Sequence, residues 1–380
     1  MSFPIRPVPV PIPPPLPLSR PLPRSHSAFP LPTPLSPPLY RYLHPANPPH
    51  ELPSRSPGTF SFLTACVPRT EICPMKSVVH RVGAQLNKAL SEKGLAFLVN
   101  HGISDEKLKA AYGYLDDFCA LPDETQTRFL RRPSTNHGYI KPGMERFDGK
   151  TMSELPECDL IPDFRGKVGT LAEDFTNLSS LLLKSLAIAL GVCPTYFLER
   201  HQGMMSGRNE NQTTLRLLYY PPVPPEDEEP GGPRGAPRDF TRCGAHCDYG
   251  TFTLLAQDCE GGLEVKLPSS ESWQRVGHLP GALLVNTGEL LAAWTQDRYP
   301  ALNHRVIIPP QCMARSRGRH SIAFFCHPDD SCSTAAMRLP LLPTPALAPT
   351  CDRLATRHHG LNRVLSAYHH IQKRFRHTYA

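Results

Sequence analysis

From Leu215 to Phe325 the chain is cut into short apolar runs: Leu215–Tyr220, Thr251–Gln257, Leu263–Leu267, Trp273–His278, Ala282–Asn286, His304–Ile308 and His320–Phe325. Glycine, proline or polar residues bound each run. Pieces this short and this regularly spaced favour strands that close on one another as a sandwich or barrel of jelly-roll type. Helical periodicity belongs instead to the first half. Apolar residues recur at Val78, Val82, Leu86 and Leu90 between Lys76 and Lys93, and Gly94 stands where that helix would stop. Leu95–Val99 reads as a buried strand. Ser104 offers an N-cap for a second helix carrying Leu108, Ala111, Tyr112 and Leu115, which ends before Pro122. A third helix, from about Leu171 to Leu190, puts Phe175, Leu178, Leu182 and Leu186 on one face. A last one, from about His359 to His377, carries Leu361, Val364, Leu365, Tyr368 and Ile371.

Proline divides the chain unevenly. Of 45 prolines, 18 lie in the first 50 residues, which contain no Asp or Glu. Such a segment buries too little apolar surface to fold, so residues 1–75 are expected to be disordered and locally polyproline-like. The remaining boundaries read as a helical region over 76–200, a strand-rich core over 210–330 and a C-terminal extension with its helix over 331–380. Pro221 to Arg238, rich in proline, glycine and acid, reads as an exposed loop. The net charge of +7 comes from scattered Lys and Arg. With no phosphate-cradling glycine loop and no aromatic-basic string, a nucleic-acid partner is not expected. Twelve cysteines without a CxxC pair read as reduced thiols of an intracellular protein. No run reaches the roughly 18 apolar residues of a membrane span. The acid-free start has the charge of a transit peptide, but its prolines forbid an amphipathic helix, so cytoplasm is expected.

His246 and Asp248 stand two apart, so an extended backbone sends both side chains from one face. His304 follows 58 residues later at the head of a strand-like run. Two imidazoles and a carboxylate suit ferrous iron with positions left open, whereas structural zinc usually takes four ligands. His327-Pro-Asp329 repeats the H-x-D spacing, but it sits at a strand end with no strand-borne histidine after it, and reads as a turn. Fifteen residues beyond His304, Arg319 and Ser321 share one strand face. A guanidinium beside a hydroxyl suits the gripping of a carboxylate. Tyr220 is a candidate for a second hydroxyl there.

In this order, H-x-D, His-Arg-Val and Arg-x-Ser before Ile322-Ala-Phe-Phe325 resemble the iron- and 2-oxoglutarate-dependent dioxygenases, in the branch similar to isopenicillin N synthase. Phe97–Ile103, Ala120–Glu124 and Gly281–Gly288 look like other parts of that branch, and the resemblance covers about residues 76 to 380. It implies an α+β fold: a double-stranded β-helix (jelly-roll, cupin-like) core with flanking helices. By resemblance His246, Asp248 and His304 ligate Fe(II), Arg319 and Ser321 hold the distal carboxylate of 2-oxoglutarate, and Tyr220 assists. The implied chemistry is decarboxylation of the oxoacid to succinate with dioxygen, coupled to oxidation of a small organic molecule, with ascorbate as a candidate reductant. The pocket candidates are Tyr139, Glu145, Arg146 and Phe325. The protein is expected to be a monomer.

Cys247 stands where the family often has Thr, and His320 replaces a common Tyr. The family also opens with a strand before the first helix, where this chain has Thr64–Pro74. A mis-joined or alternative amino terminus near Met75 would account for that region and for the proline tract. Three alternatives stay open. One is a same-fold iron oxidase that uses no oxoacid. Another is an interaction protein acting through its proline-rich start, where Pro37–Tyr40 fits the P-P-x-Y pattern read by WW modules. The third is a zinc hydrolase, for which Glu264 or Glu289 would have to act as general base.

Overall fold

The computed structural model describes residues 64–66, 75–131, 138–141, 150–153, 160–207, 210–222, 241–270, 272–308, 318–335, 337 and 365–378. The chain enters through β1 (Thr64–Cys66) and α1 (Met75–Lys93). Val82, Leu86 and Leu90 of α1 are buried, as their spacing requires. Gly94 ends the helix at φ +70°, its N–H donating to the Leu90 carbonyl at 2.9 Å. A β-carbon there would come within 2.7 Å of the Leu302 side chain, so glycine is required twice over. β2 (Leu95–Val99) follows directly. α2 (Asp105–Ala120) is capped by the Ser104 hydroxyl, which accepts from the Lys107 N–H. Next come the short α3 (Asp123–Gln126), β3 (Gly138–Ile140) and β4 (Lys150–Ser153). α4 (Phe164–Ala189) is longer than expected, starting at Phe164 rather than Leu171. Phe164 and Val168 extend its buried stripe by two turns.

The strand-rich part comprises β5 (Thr214–Tyr220), β6 (Thr241–His246), β7 (Phe252–Gln257), β8 (Leu263–Lys266), β9 (Trp273–Arg275) and β10 (Ala282–Thr287). A six-residue helix, α5 (Glu289–Trp294), interrupts it before β11 (His304–Ile307) and β12 (Arg319–Cys326). α6 (Ala367–Thr378) closes the described chain. One sheet has eight strands in the order β1-β2-β10-β7-β12-β5-β4-β3, and the other has four, β6-β11-β8-β9. This is the expected jelly-roll core with flanking helices.

Strand parity decides which side chains meet. Along β12 the even positions Ile322, Phe324 and Cys326 pack towards the helices, and Phe324 stacks on Phe175 of α4 with centroids 5.6 Å apart. The odd positions Arg319, Ser321, Ala323 and Phe325 line a cavity between the sheets. β10 does the same, with Leu283 and Val285 on the helix side and Leu284 and Asn286 on the cavity side. Full burial of one such Leu or Phe stabilises by about 1.5–3 kcal/mol, so a one-residue slip would forfeit a whole row.

Some expectations need correction. The segment 1–75 is not wholly without structure, and the family's opening strand is present: Thr64–Cys66 pairs in parallel with β2, Thr64 opposite Phe97. Three residues of ordinary composition announce nothing; the partner strand supplies the order. The rest of that segment up to Pro74, including Pro37–Tyr40, lies outside the described residues. The final helix begins at Ala367, and residues 359–364 of its expected span also lie outside them. Among the described residues no helix is long and apolar enough to cross a membrane.

Candidate functional site

β6 ends at His246 and β11 begins at His304, and the antiparallel register sets these two residues opposite each other. Their rings lie 4.2 Å apart, centroid to centroid. Asp248 follows in the turn towards β7 and is buried. Its Oδ1 lies 3.7 Å from Nε2 of each histidine, and the three donor atoms fall within 4.8 Å of one another. Ligands at right angles on bonds of about 2.1 Å stand about 3 Å apart, so one ion fits after shifts of under an ångström.

The surroundings aim each donor. His246 Nδ1 lies 2.8 Å from the Gly244 carbonyl and His304 Nδ1 3.2 Å from that of Leu302. A carbonyl takes only a donor, so the protons sit on Nδ1 and each Nε2 lone pair faces the centre. Asp248 Oδ2 accepts from Thr253 Oγ1 at 2.6 Å and Asn286 Nδ2 at 2.7 Å, leaving Oδ1 for the shared position. Burial, then the neighbouring His304, pushes the His246 pKa down to about 4. Burial opposes ionisation of Asp248, but the two imidazoles and the two hydrogen bonds together hold its carboxyl below the usual range. His246 is thus neutral and Asp248 anionic, the states in which such groups can ligate a metal.

Arg319, 1% exposed, opens β12 opposite Tyr220 of β5. Its Nε donates to the Gly261 carbonyl at 3.0 Å, one terminal nitrogen to Ser321 Oγ and the other to Gln257 Oε1, both at 3.1 Å. All three acceptors are neutral oxygens, so the buried positive charge is oriented and not cancelled by them. The Tyr220 ring lies 5.6 Å from the guanidinium carbon. His246, Asp248, His304, Arg319, Ser321 and Tyr220 all line one cavity of about 80 Å³, whose other walls are mostly Leu, Val, Ala and Phe.

Other sequence candidates separate. Phe325 lines the cavity, whereas Tyr139 packs edge-on against Phe118 on the helix side. Glu145 and Arg146 lie outside the described residues. Glu264 turns away from the cavity to pair with Arg305 at 2.8 Å, and Glu289 pairs with Arg374 at 2.9 Å, so neither faces the trio as a base. His327 is buried against Gly250, its N–H donating to Thr213 Oγ1, and burial pushes its pKa down to about 3. Asp329 accepts from the Gln202 and Gly203 N–H groups, so this second H-x-D is a structural tie. Cys247 packs with Ala292 and Ala301, while Cys243, unremarked in the sequence, lines the cavity. Thr253, Asn286 and Gln257 were also missed as supports. Their signal was a polar residue at a cavity-facing position of an otherwise apolar strand.

His320 faces the helices, with Nε2 2.7 Å from Asp116 of α2 and Nδ1 3.7 Å from Asp258. Tyr112 and Tyr219 flank the ring. Burial would lower its pKa, but hydrogen bonds and charge from Asp258 and Asp116 raise it above 6.5. A folded-state pKa above the unfolded one stabilises fully below the unfolded value, and the gain disappears as pH rises through the folded value. We expect His320→Gln to lower Tm at about pH 6 and to cost little at about pH 9, by scanning calorimetry. An equal Tm loss at both pH values would contradict the bridge.

Residues 211–328 match the 2OG-Fe(II) oxygenase superfamily, and residues 72–161 match the N-terminal region described as non-haem dioxygenase in morphine synthesis. Proline hydroxylase buaE of Petromyces alliaceus is 30% identical over 284 residues, 66% of this chain and 83% of that protein. Gibberellin 20 oxidase 2 of Oryza sativa subsp. indica is 28% identical over 271 residues, 66% of this chain but 63% of its own length. The chain thus spans less than two thirds of that relative. A full-length Neurospora crassa protein, solved with alpha-KG and 5-formyluracil, superposes with a TM-score of 0.63 at 23% identity, covering 80% of this chain and 92% of that one. The dioxygenase for auxin oxidation 1 of Arabidopsis thaliana, with 2-oxoglutarate, gives 0.54 at 22% identity, covering 70% and 92%.

Proposed function

Because this chain belongs to the 2OG-Fe(II) oxygenase superfamily, we propose that it is an Fe(II)- and 2-oxoglutarate-dependent dioxygenase. It hydroxylates or otherwise oxidises a small organic molecule while the oxoacid is converted to succinate and carbon dioxide. The observation that carries this reading is the buried Arg319 with Ser321 in the same cavity as His246, Asp248 and His304. A three-donor set with one carboxylate fits ferrous iron, which when bound supplies the redox chemistry with dioxygen.

The protein's own residues do the rest. His246, Asp248 and His304 would hold the ion, and Thr253 and Asn286 keep the carboxylate from turning. Arg319 and Ser321 grip the far carboxylate of the oxoacid, with Tyr220 beside them. Apolar walls such as Leu255, Leu284 and Val306 exclude water and strengthen each charge interaction. Those walls, and relatives named for oxidising gibberellin and hydroxylating proline, support a compact organic substrate. Free thiols at the described cysteines support a reducing compartment, the cytoplasm.

The test is succinate release from labelled 2-oxoglutarate with Fe(II), ascorbate and dioxygen, across a metabolite panel. We expect oxoacid turnover that rises with the correct substrate. Tight iron binding with no oxoacid turnover on any substrate would assign the chain to the oxidases of the same fold.

A further inference from the structure

Behind the metal trio, the turn that carries Asp248 is gripped from outside the cavity. Three successive N–H groups at the start of α5 donate into it: Gly288 to the Thr251 carbonyl at 3.0 Å, Glu289 to that of Asp248 at 2.8 Å, and Leu290 to that of Gly250 at 3.0 Å. The approach is close enough that a β-carbon on Gly288 would lie 2.3 Å from the Gly250 oxygen. The position of the Asp248 backbone is therefore set by where α5 begins.

α5 is fixed in turn by the C-terminal helix. Glu289 is 1% exposed, and its Oε1 lies 2.9 Å from an Arg374 terminal nitrogen. His370 Nε2 lies 3.1 Å from Oε2. His370 and Arg374 are four residues apart and share one face of α6. The same helix reaches the residue after Asp248, with Arg374 over the Tyr249 ring at 4.8 Å and the Phe375 ring 6.1 Å away. Leu290 packs with Ala367 and Ile371 to complete the seam. Apolar packing alone would hold α6 down. A fully buried carboxylate adds direction, because it must keep its Arg374 guanidinium, and that partner determines where it can sit.

We propose that Glu289, locked by Arg374 and His370, is a positioning residue for Asp248, so that docking of the C-terminal helix sets the geometry of the metal trio. The inference rests on the iron reading above. Glu289 and both of its partners lie outside the cavity lining, so the lock acts through the Asp248 turn and not on substrate.

Cobalt(II), added to the full-length apoprotein without oxygen, tests this through its visible absorption, which reports both affinity and ligand geometry. We expect Glu289→Gln and Arg374→Leu to bind Co(II) on the order of 10-fold more weakly, the low end for partners that orient metal ligands, and with a changed band shape. Ile371→Ala should lower Tm with Co(II) affinity and band unchanged, which separates positioning from mere stability. His370→Asn, the mildest change, serves if either charge variant does not fold, and should give a smaller shift of the same kind. Affinity that merely tracks Tm across all variants, or bands identical to wild type, would overturn the lock. If wild-type protein binds no Co(II), the metal reading itself fails and the lock with it; binding by wild type and lock variants alike removes the lock only.

Discussion

Asp248→Ala is expected to abolish metal-dependent stabilisation and oxoacid turnover together. The carboxylate is the one anion of the trio, and its Oδ1 stands 3.7 Å from both imidazole Nε2 atoms. Without it, only two imidazoles remain to hold a dication in an apolar cavity. A ligand that binds only the folded state raises stability by about 2.7 kcal/mol at a hundredfold excess over Kd. Thermal unfolding without oxygen, with and without Co(II), should show that rise in wild type and none in Asp248→Ala. The apoprotein should change less: the variant strands the Thr253 hydroxyl and the Asn286 amide at about 1–3 kcal/mol each, but it also removes a buried charge. Thr253→Val and Asn286→Ala keep the carboxylate and lose its support, so each should weaken metal binding by about 10–100-fold. An Asp248→Ala protein that still gains stability from Co(II) would show that the ion sits elsewhere.

What the sequence made legible was whatever its periodicity could carry. Ser321, Ala323 and Phe325 alternate with the buried apolar Ile322, Phe324 and Cys326, and the sheet keeps that alternation on its two faces. The strand that delivers His246 was not legible. Thr241–His246 contains Arg, Gly and an exposed Ala245, and its register against β11 shifts between His304 and Val306. Its extended form comes from a partner 58 residues away. The start of α4 was hidden differently: Gly166 and Gly169 weaken the helical signal, although Phe164, Val168 and Leu171 keep the spacing of one buried face. Glu289 lay within reach of the sequence only as a possible base. Its role depends on Arg374 and His370, whose proximity comes from tertiary packing, and no local pattern encodes that.

Arg319→Leu is expected to raise the KM and Kd for 2-oxoglutarate by at least about 10²-fold, from the loss of hydrogen bonds to a charged group at about 1.5–3 kcal/mol apiece. The side chain is 1% exposed and already held by Gly261, Gln257 and Ser321, so the wild-type fork meets its carboxylate pre-aimed. Folding should suffer less than binding. Leucine strands three acceptors, yet it also removes a guanidinium that none of the three neutralises. Arg319→Lys separates charge from geometry: it keeps the positive charge but presents a flexible point donor, and should fall between wild type and leucine. Calorimetric titration of 2-oxoglutarate into the Co(II)-loaded protein without oxygen gives the affinity, and succinate release gives KM. Metal affinity should stay near wild type, because Arg319 lies on the far wall of the cavity from β6 and β11 and is none of the three donors. If instead oxoacid affinity survives in Arg319→Leu while turnover of one acidic substrate is lost, the buried guanidinium serves the substrate, and the chain takes its place among the oxidases of this fold.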